Sequence, residues 1–305
     1  MWLVIEQIFN GLQLGVALFL MSAGLTLIFG VMNVINLAHG SFYMVGAYTA
    51  ATVAGYTGSF MLGLLAALPV AGLVGVIIEW LVVRRLYLRD HLDQVLATFG
   101  LILFFNELVR IIWGRQPLFL DVPTWLSGQV EIIPGAPYPA YRLAIIAVGI
   151  LVGAALYLLI ARTRVGMRIR AGASNRDMIG ALGVDIGRLN TLVFGLGALM
   201  AGLAGAMMGP ILAVESGMGE NILIQVFVVI VIGGIGSVRG ALAGALLVGL
   251  VDTLGRAFLP TLLGTVMAPS DAYGVGASIA SMSIYILMAL VLAIKPRGLF
   301  PPDHG

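Results

Sequence analysis

Asn33, Asn36, His39 and Ser41 crowd into one stretch, GVMNVINLAHGSF (residues 30–42), within an apolar run that holds no Lys or Arg before Arg84. Amides, an imidazole and a hydroxyl can bond backbone groups or a small polar solute. At membrane depth each costs roughly 2–7 kcal/mol when left unpaired. They do not compose a catalytic centre. The other histidines are His91 and His304, so His39 has no companion ligands for a metal. The sequence holds no nucleophile–base pair, phosphate-binding loop or zinc motif, and having no cysteine it forms no disulfide, zinc thiolate or iron–sulfur cluster. The chain is expected to be non-catalytic, with no metal or cofactor of its own. Its intramembrane charges come in pairs. Glu107 and Arg110 stand at i,i+3 and Asp252 and Arg256 at i,i+4, the spacings of intrahelical ion pairs, toward the outer third of their spans. Glu79 lies about one turn from the inner end of its span, with Arg84 or Arg85 to neutralise it.

These groups belong to a chain that is 60% hydrophobic and 10% charged, against about 25% charged in a soluble domain. It is therefore a polytopic membrane protein. The 41 glycines suit closely packed spans, and a net charge of +2 without a basic tail gives no case for nucleic acid. The opening MWLVIEQIFNG has no basic region or small-residue cleavage site, so no removed signal peptide is expected. The predicted fold is all-α, one transmembrane domain over 1–305, with about 8–9 transmembrane segments and broken helices. Apolar stretches of roughly 20 residues fall near 8–30, 36–56, 61–83, 94–113, 142–161, 190–213, 222–238, 240–260 and 273–294. The seventh is short and ends in GGIGS, which fits a bent crossing or a re-entrant helix.

Arg84, Arg85 and Arg89, then Arg162, Arg164, Arg168, Arg170, Arg176 and Arg188, then Arg239, then Lys295 and Arg297 all fall on one side of nine crossings. The positive-inside rule makes that side cytoplasmic, with the N-terminus outside and the C-terminus inside. The outer loop 114–141 is rich in proline and carries Trp125 and Tyr138, which reads as an ordered surface cap or an interfacial helix. The polar stretch then falls at the inner end of the first two spans. Two readings are open. Its amides satisfy orphan backbone groups at a tight inner hairpin, with Asn33, Asn36 and Gly40 on one face where the chain is helical. Alternatively Asn33, Asn36 and His39 line the inner mouth of a translocation path. A weak pseudo-repeat two hundred residues later sets Val231, Gly233, Gly236, Arg239 and Gly240 against Val31, Asn33, Asn36, His39 and Gly40. Polar or Gly-rich breaks at matching places mark transporter folds, which adds Gly233, Gly234 and Gly236 to the pathway candidates.

The loop 162–189 is longer than a link requires. Ser174 and Asp177 have the spacing of a capping box for a helix through Leu182, with Met178, Ile179 and Leu182 on one face. Gly183 stands where a left-handed cap belongs, and Asp185 starts the next helix. This platform is either an amphipathic helix resting on the bilayer or a docking surface for a cytoplasmic partner.

The motifs AGASNRDMIGALGVDIGRLN, GLTLIFGVMNVINLAHGSFYMVGAY, VVIVIGGIGSVRGALAGALLVG and KPRGLF, in that family's order and over nearly the whole chain, resemble the permease subunits of branched-chain amino acid ABC importers, the first of the usual pair. The loop departs from that pattern in reading Ser-Asn-Arg before Asp177, where many members carry an acidic residue. The resemblance implies a permease of an ATP-driven importer in the bacterial inner membrane, for branched-chain or related hydrophobic amino acids, or alternatively for urea or short amides. It implies a sister permease, two ATP-binding subunits that carry ATP and Mg, and an external substrate-binding protein. Arg168, Ser174, Asn175, Arg176, Asp177, Gly183 and Asp185 would form the ATPase-coupling loop. Asp121, Trp125, Glu131, Glu215 and Glu220 would meet the binding protein. A self-sufficient channel or ion-coupled carrier is the reading of a different class. A carrier should show an unpaired acid near the bilayer centre, and a passive channel has no use for the platform.

Overall fold

The computed structural model describes residues 2–133 and 135–301. His304 lies outside them. Among the described residues the chain is built from α1 (Trp2–Met32), α2 (His39–Thr57), α3 (Phe60–Leu81), α4 (His91–Trp113), the hairpin β1 (Gln129–Ile133) and β2 (Ala136–Pro139), α5 (Ala140–Arg162), α6 (Arg164–Ser174), α7 (Arg176–Ala181), α8 (Ile186–Met208), α9 (Met218–Gly233), α10 (Val238–Leu263) and α11 (Pro269–Ile294). It is an all-α polytopic bundle. Each of the nine apolar stretches is a helix, and seven of them (α1, α3, α4, α5, α8, α10 and residues 271–294 of α11) are long and apolar enough to cross a membrane. The other two differ for physical reasons. The 16 residues of α9 reach only ~24 Å, short of ~30 Å of hydrocarbon. The 19 residues of α2 are diluted by glycine, threonine and tyrosine.

The chain divides into two compact units, passing between them within α1, before Thr124, within α5 and within α9. Residues 23–123 and 151–224 form one. Its centre is α2, α3 and α8, which approach through small residues. A Cβ on Gly63 would lie 2.5 Å from the Ala50 carbonyl oxygen, and one on Gly46 would lie 2.6 Å from the Gly202 carbonyl carbon. Ala50, Ala67 and Ala206 bury together beside them, with Leu64 and Leu120 at the edge. In a bilayer such backbone proximity, and not hydrophobic burial, holds helices together.

Residues 2–22, 124–150 and 225–301 form the second unit. There Gly249 of α10 fits against Gly11 and Gly15 of α1, and Gly276 of α11 against Pro260 of α10. In the loop between α4 and α5, the interfacial helix that proline and tryptophan suggested is only a 3-10 turn at Thr124–Leu126 followed by the antiparallel hairpin, with Val130 opposite Tyr138. Tyr138 is buried, donates to Asn10 Oδ1 at 2.9 Å and stacks on Phe9 at 5.5 Å, which ties the hairpin to the start of α1.

Candidate functional site

Asn33 ends α1 by entering the left-handed region, φ 51°, at no other non-glycine position among the described residues. The chain from Asn33 to Ala38 is not helical, so Asn33, Asn36 and Gly40 do not share a helix face. Its freed backbone groups are met by side chains of α4. Ile35 N–H donates to Gln94 Oε1 at 3.1 Å and Leu37 N–H to Thr98 Oγ1 at 3.2 Å. Higher on α4, Phe42 packs edge-on to Phe105 at 6.3 Å, and Tyr48 meets Trp113 at 4.9 Å. These partners climb α4 in order, so His39 faces its middle. Extended chain advances ~3.3 Å per residue against ~1.5 Å in a helix, which lets six residues carry the start of α2 from the first turn of α4 to its middle.

Asn36 is fully buried and does not cap α2, whose N-cap is Ala38; its Oδ1 instead accepts from Ala38 N–H at 3.1 Å in a local side-chain turn. Its Nδ2, like Thr26 Oγ1 and Tyr43 Oη in the same unit, has no hydrogen-bond partner among the described residues. His39 is buried and meets the edge of Phe42 at 6.1 Å, while Asn33 is exposed. The first turn of α2 abuts that of α9, where a Cβ on Gly40 would lie 2.8 Å from the Gly219 carbonyl carbon. Glu220, in that turn of α9, is half-buried and accepts a hydrogen bond from Asn106. Gln94 and Thr98 escape a sequence reading that follows only the break itself. Their signal was an i,i+4 polar pair on an otherwise apolar helix.

The loop between α5 and α8 folds as a platform of two helices. Thr163 caps α6 by accepting from Gly166 N–H at 3.0 Å. The capping box moves by one residue, because Ser174 still belongs to α6 and Asn175 caps α7, its Oδ1 accepting from Met178 N–H at 2.9 Å. Gly183 has φ 85°, Val184 N–H closes back to the Ile179 carbonyl at 3.2 Å, and Asp185 caps α8 through Arg188 N–H at 3.0 Å. Of the apolar face, Ile179 is buried, whereas Met178 and Leu182 are 62% and 78% exposed. Asp177 and Arg168 are also exposed.

Arg176 turns the other way. Its Nε donates to the Val31 carbonyl at 2.6 Å, and Nη2 bonds the same oxygen. Desolvation holds its guanidinium below the usual arginine range. Gly172 of α6 packs against both Leu189 of α8 and Val31, a Cβ on it meeting Leu189 at 3.0 Å and Val31 at 3.8 Å. The platform thus grips the last turn of α1, two residues before the break at Asn33. A second tie joins α8 to α3. Glu79 is fully buried and accepts from Arg84 at 3.2 Å, Thr191 Oγ1 at 2.8 Å and the Tyr87 hydroxyl. Arg84 is the partner, not Arg85. Burial and then the bond to Glu79 push the Tyr87 hydroxyl well above its usual range.

In the second unit, α9 ends at Gly233, Gly234 and Gly236 take φ 108° and 88°, and Ser237 caps α10 by accepting from Gly240 N–H at 3.1 Å. The helix–break–helix pattern recurs at the two-hundred-residue offset. The tail closes this break: Leu299 and Phe300 N–H donate to the Ile232 and Gly233 carbonyls at 2.8 and 2.9 Å. GGIGSVRG and KPRGLF are therefore one physical unit. Asp252 pairs with Arg256 at 2.9 Å, near the middle of α10 and not in its outer third. Glu107 and Arg110 pair at 2.6 Å. Trp125 and Glu131 are exposed in this unit, as are Asp121 and Glu215 in the other.

Residues 7–294 match the family model described as "Branched-chain amino acid transport system / permease component". The high-affinity branched-chain amino acid transport system permease protein LivH of Salmonella typhimurium is 29% identical over 97% of this chain and 94% of its own length. BraD of Pseudomonas aeruginosa, a permease protein of the same description, is 29% identical over 97% and 95%. The ribose import permease protein RbsC of Escherichia coli (strain K12) is 23% identical over 81% and 77%. No solved structure matches.

Proposed function

Since the chain belongs to the branched-chain amino acid permease family, we propose that it is the transmembrane permease of an ATP-driven ABC importer for branched-chain or related hydrophobic amino acids. The observation that carries this reading is the α6–α7 platform. Its Met178 and Leu182 are left exposed for a partner, while Arg176 fastens it to the end of α1. ATP binding by two partner subunits moves the platform, and α1 transmits the movement to the break at 33–38 as the bundle alternates between its outward- and inward-open states. ATP and Mg stay on those subunits. The unit includes a sister permease and an external binding protein that docks on Asp121, Trp125, Glu131 and Glu215, in the inner membrane of a bacterium. The platform and the C-terminus are cytoplasmic and the N-terminus is outside, a reading that the distribution of arginines supports.

Asn36 Nδ2, Thr26 Oγ1 and Tyr43 Oη give a zwitterion neutral polar partners along the path. An ion-coupled carrier fits less well, because buried Glu79 and Asp252 each hold an arginine, at 3.2 and 2.9 Å. The test is uptake into proteoliposomes holding the complex purified from its own membranes, with its binding protein supplied. ATP-dependent entry of labelled leucine, competed by valine, is the expected result. Urea entry alone would place the chain with the short-amide permeases of the family, and entry without ATP would overturn the importer.

A further inference from the structure

On α3 and α8 an apolar groove of about 580 Å³ runs between Pro69, Leu73 and Val76 on one side and Leu192, Leu196 and Leu199 on the other. It exists because Gly72 and Gly195 stand where the helices would otherwise fill it. At the platform end Arg188 and Leu192 also line a second, polar pocket of about 270 Å³, with Arg168, Asp185 and Gly183. An apolar slot thus continues into a charged pocket. On α8 the groove covers Arg188 to Leu199, ~16 Å at 1.5 Å per residue, and on α3 only the central stretch from Pro69 to Val76. That is one leaflet of a ~30 Å core. A helix of a second subunit would run the full span.

The pocket has the charge for an anion. Arg188 holds Asp185 through Nε alone, at 3.0 Å, and its side chain is 90% exposed. Arg168 has no carboxylate within 4.0 Å among the described residues. Arg84 reaches the groove through Thr191 at 2.7 Å but is neutralised by Glu79. Arg168 and Arg188 against Asp185 leave one positive charge, the complement of one phosphodiester. Basic pockets beside apolar slots at a membrane surface hold anionic headgroups.

We propose that the groove and pocket together bind one anionic phospholipid of the platform-side leaflet, an acyl chain along α3 and α8 and its phosphate against Arg168 and Arg188. The lipid would brace the start of α8 and with it the platform. It needs only that the chain spans a bilayer, so it stands or falls apart from the transported substrate.

The test is native mass spectrometry of the assembled permease from vesicles of phosphatidylcholine with or without phosphatidylglycerol. The wild type is expected to retain one phosphatidylglycerol that excess inorganic phosphate does not displace. Arg168→Gln with Arg188→Gln should lower that occupancy several-fold. So should Gly72→Leu, whose Cβ meets only ordinary 3.7 Å neighbours and therefore fills the groove without forcing the helices apart. Equal retention of both lipids, or unchanged phosphatidylglycerol in both variants, overturns the proposal. Loss of the second permease subunit from Gly72→Leu with lipid retention intact would place a protein helix in the groove and overturn it as well.

Discussion

Arg176 gives the most direct handle on the proposed coupling between platform and bundle. Its guanidinium places two donors on the Val31 carbonyl, Nε at 2.6 Å and Nη2 beside it, at a site that is half-buried. A hydrogen bond to a charged group contributes about 1.5–3 kcal/mol, and partial exposure favours the lower half, about 2 kcal/mol. The Val31 carbonyl is also among the last four of α1, which have no intrahelical partner. Arg176→Ala therefore weakens the tie between platform and α1 by ~30-fold in population terms, since 1.4 kcal/mol is a factor of about ten. Nothing in the change touches the exposed Met178 and Leu182. In proteoliposomes the variant should hydrolyse ATP within about two-fold of wild type while leucine uptake falls by ~10- to 30-fold. Arg176→Lys keeps the charge but loses the forked donor pair, so it should recover only part of the uptake. An unchanged ratio of uptake to ATP hydrolysis in Arg176→Ala would refute transmission through Val31. A parallel fall in both would mean that the residue serves assembly instead.

Gly46→Leu should abolish recovery of folded permease by fluorescence-detected size exclusion, because its Cβ would meet the Gly202 backbone, whereas Gly55→Leu, with nothing within 4 Å, should be recovered like wild type. Glu79→Gln should lower the thermal stability of the purified complex by roughly 2 kcal/mol, less than the 3–5 kcal/mol of a fully buried pair because Arg84 is 40% exposed. Combining it with Arg84→Gln should recover part of that loss. Gly183→Val forces a β-branched residue to φ 85°, at about 1–2 kcal/mol, and should reduce ATP-driven uptake while Gly183→Asn preserves most of it. Gln94→Leu strands the Ile35 N–H, a loss of about 1–3 kcal/mol. It should slow uptake with no change in the ATPase subunits recovered.

The nine helices were legible because apolar runs near 20 residues have few alternatives, and the 41 glycines suited close packing of the kind seen at Gly46 and Gly202, without saying which glycines make it. Gly183 and Asp185 were legible for a local reason: a left-handed cap and an N-cap are decided by the residue and its nearest neighbours. The break at 33–38 was visible, but its depth was not. Sequence says that Asn33 and Asn36 interrupt a helix. Only the register set by Gln94 and Thr98, some sixty residues away, carries the start of α2 to the middle of α4. The one-residue shift of the cap from Ser174 to Asn175 has a similar origin. Both residues cap well, and α6 running through Ser174 decides between them. The resemblance puts Arg176 in the coupling loop, but nothing local marks its turn toward Val31.

The central claim is that the platform docks on an ATP-hydrolysing partner. The chain has no cysteine, so Met178→Cys introduces one thiol at a 62% exposed position. A photoactivatable cross-linker on that thiol, fired in native membranes and read by mass spectrometry, reports what covers α7. The account predicts a cross-link to a subunit with a nucleotide-binding motif, lost from a control placed at exposed Tyr56. Adducts to lipid alone at Met178→Cys would show a helix resting on the bilayer and would contradict the coupling role assigned to the platform.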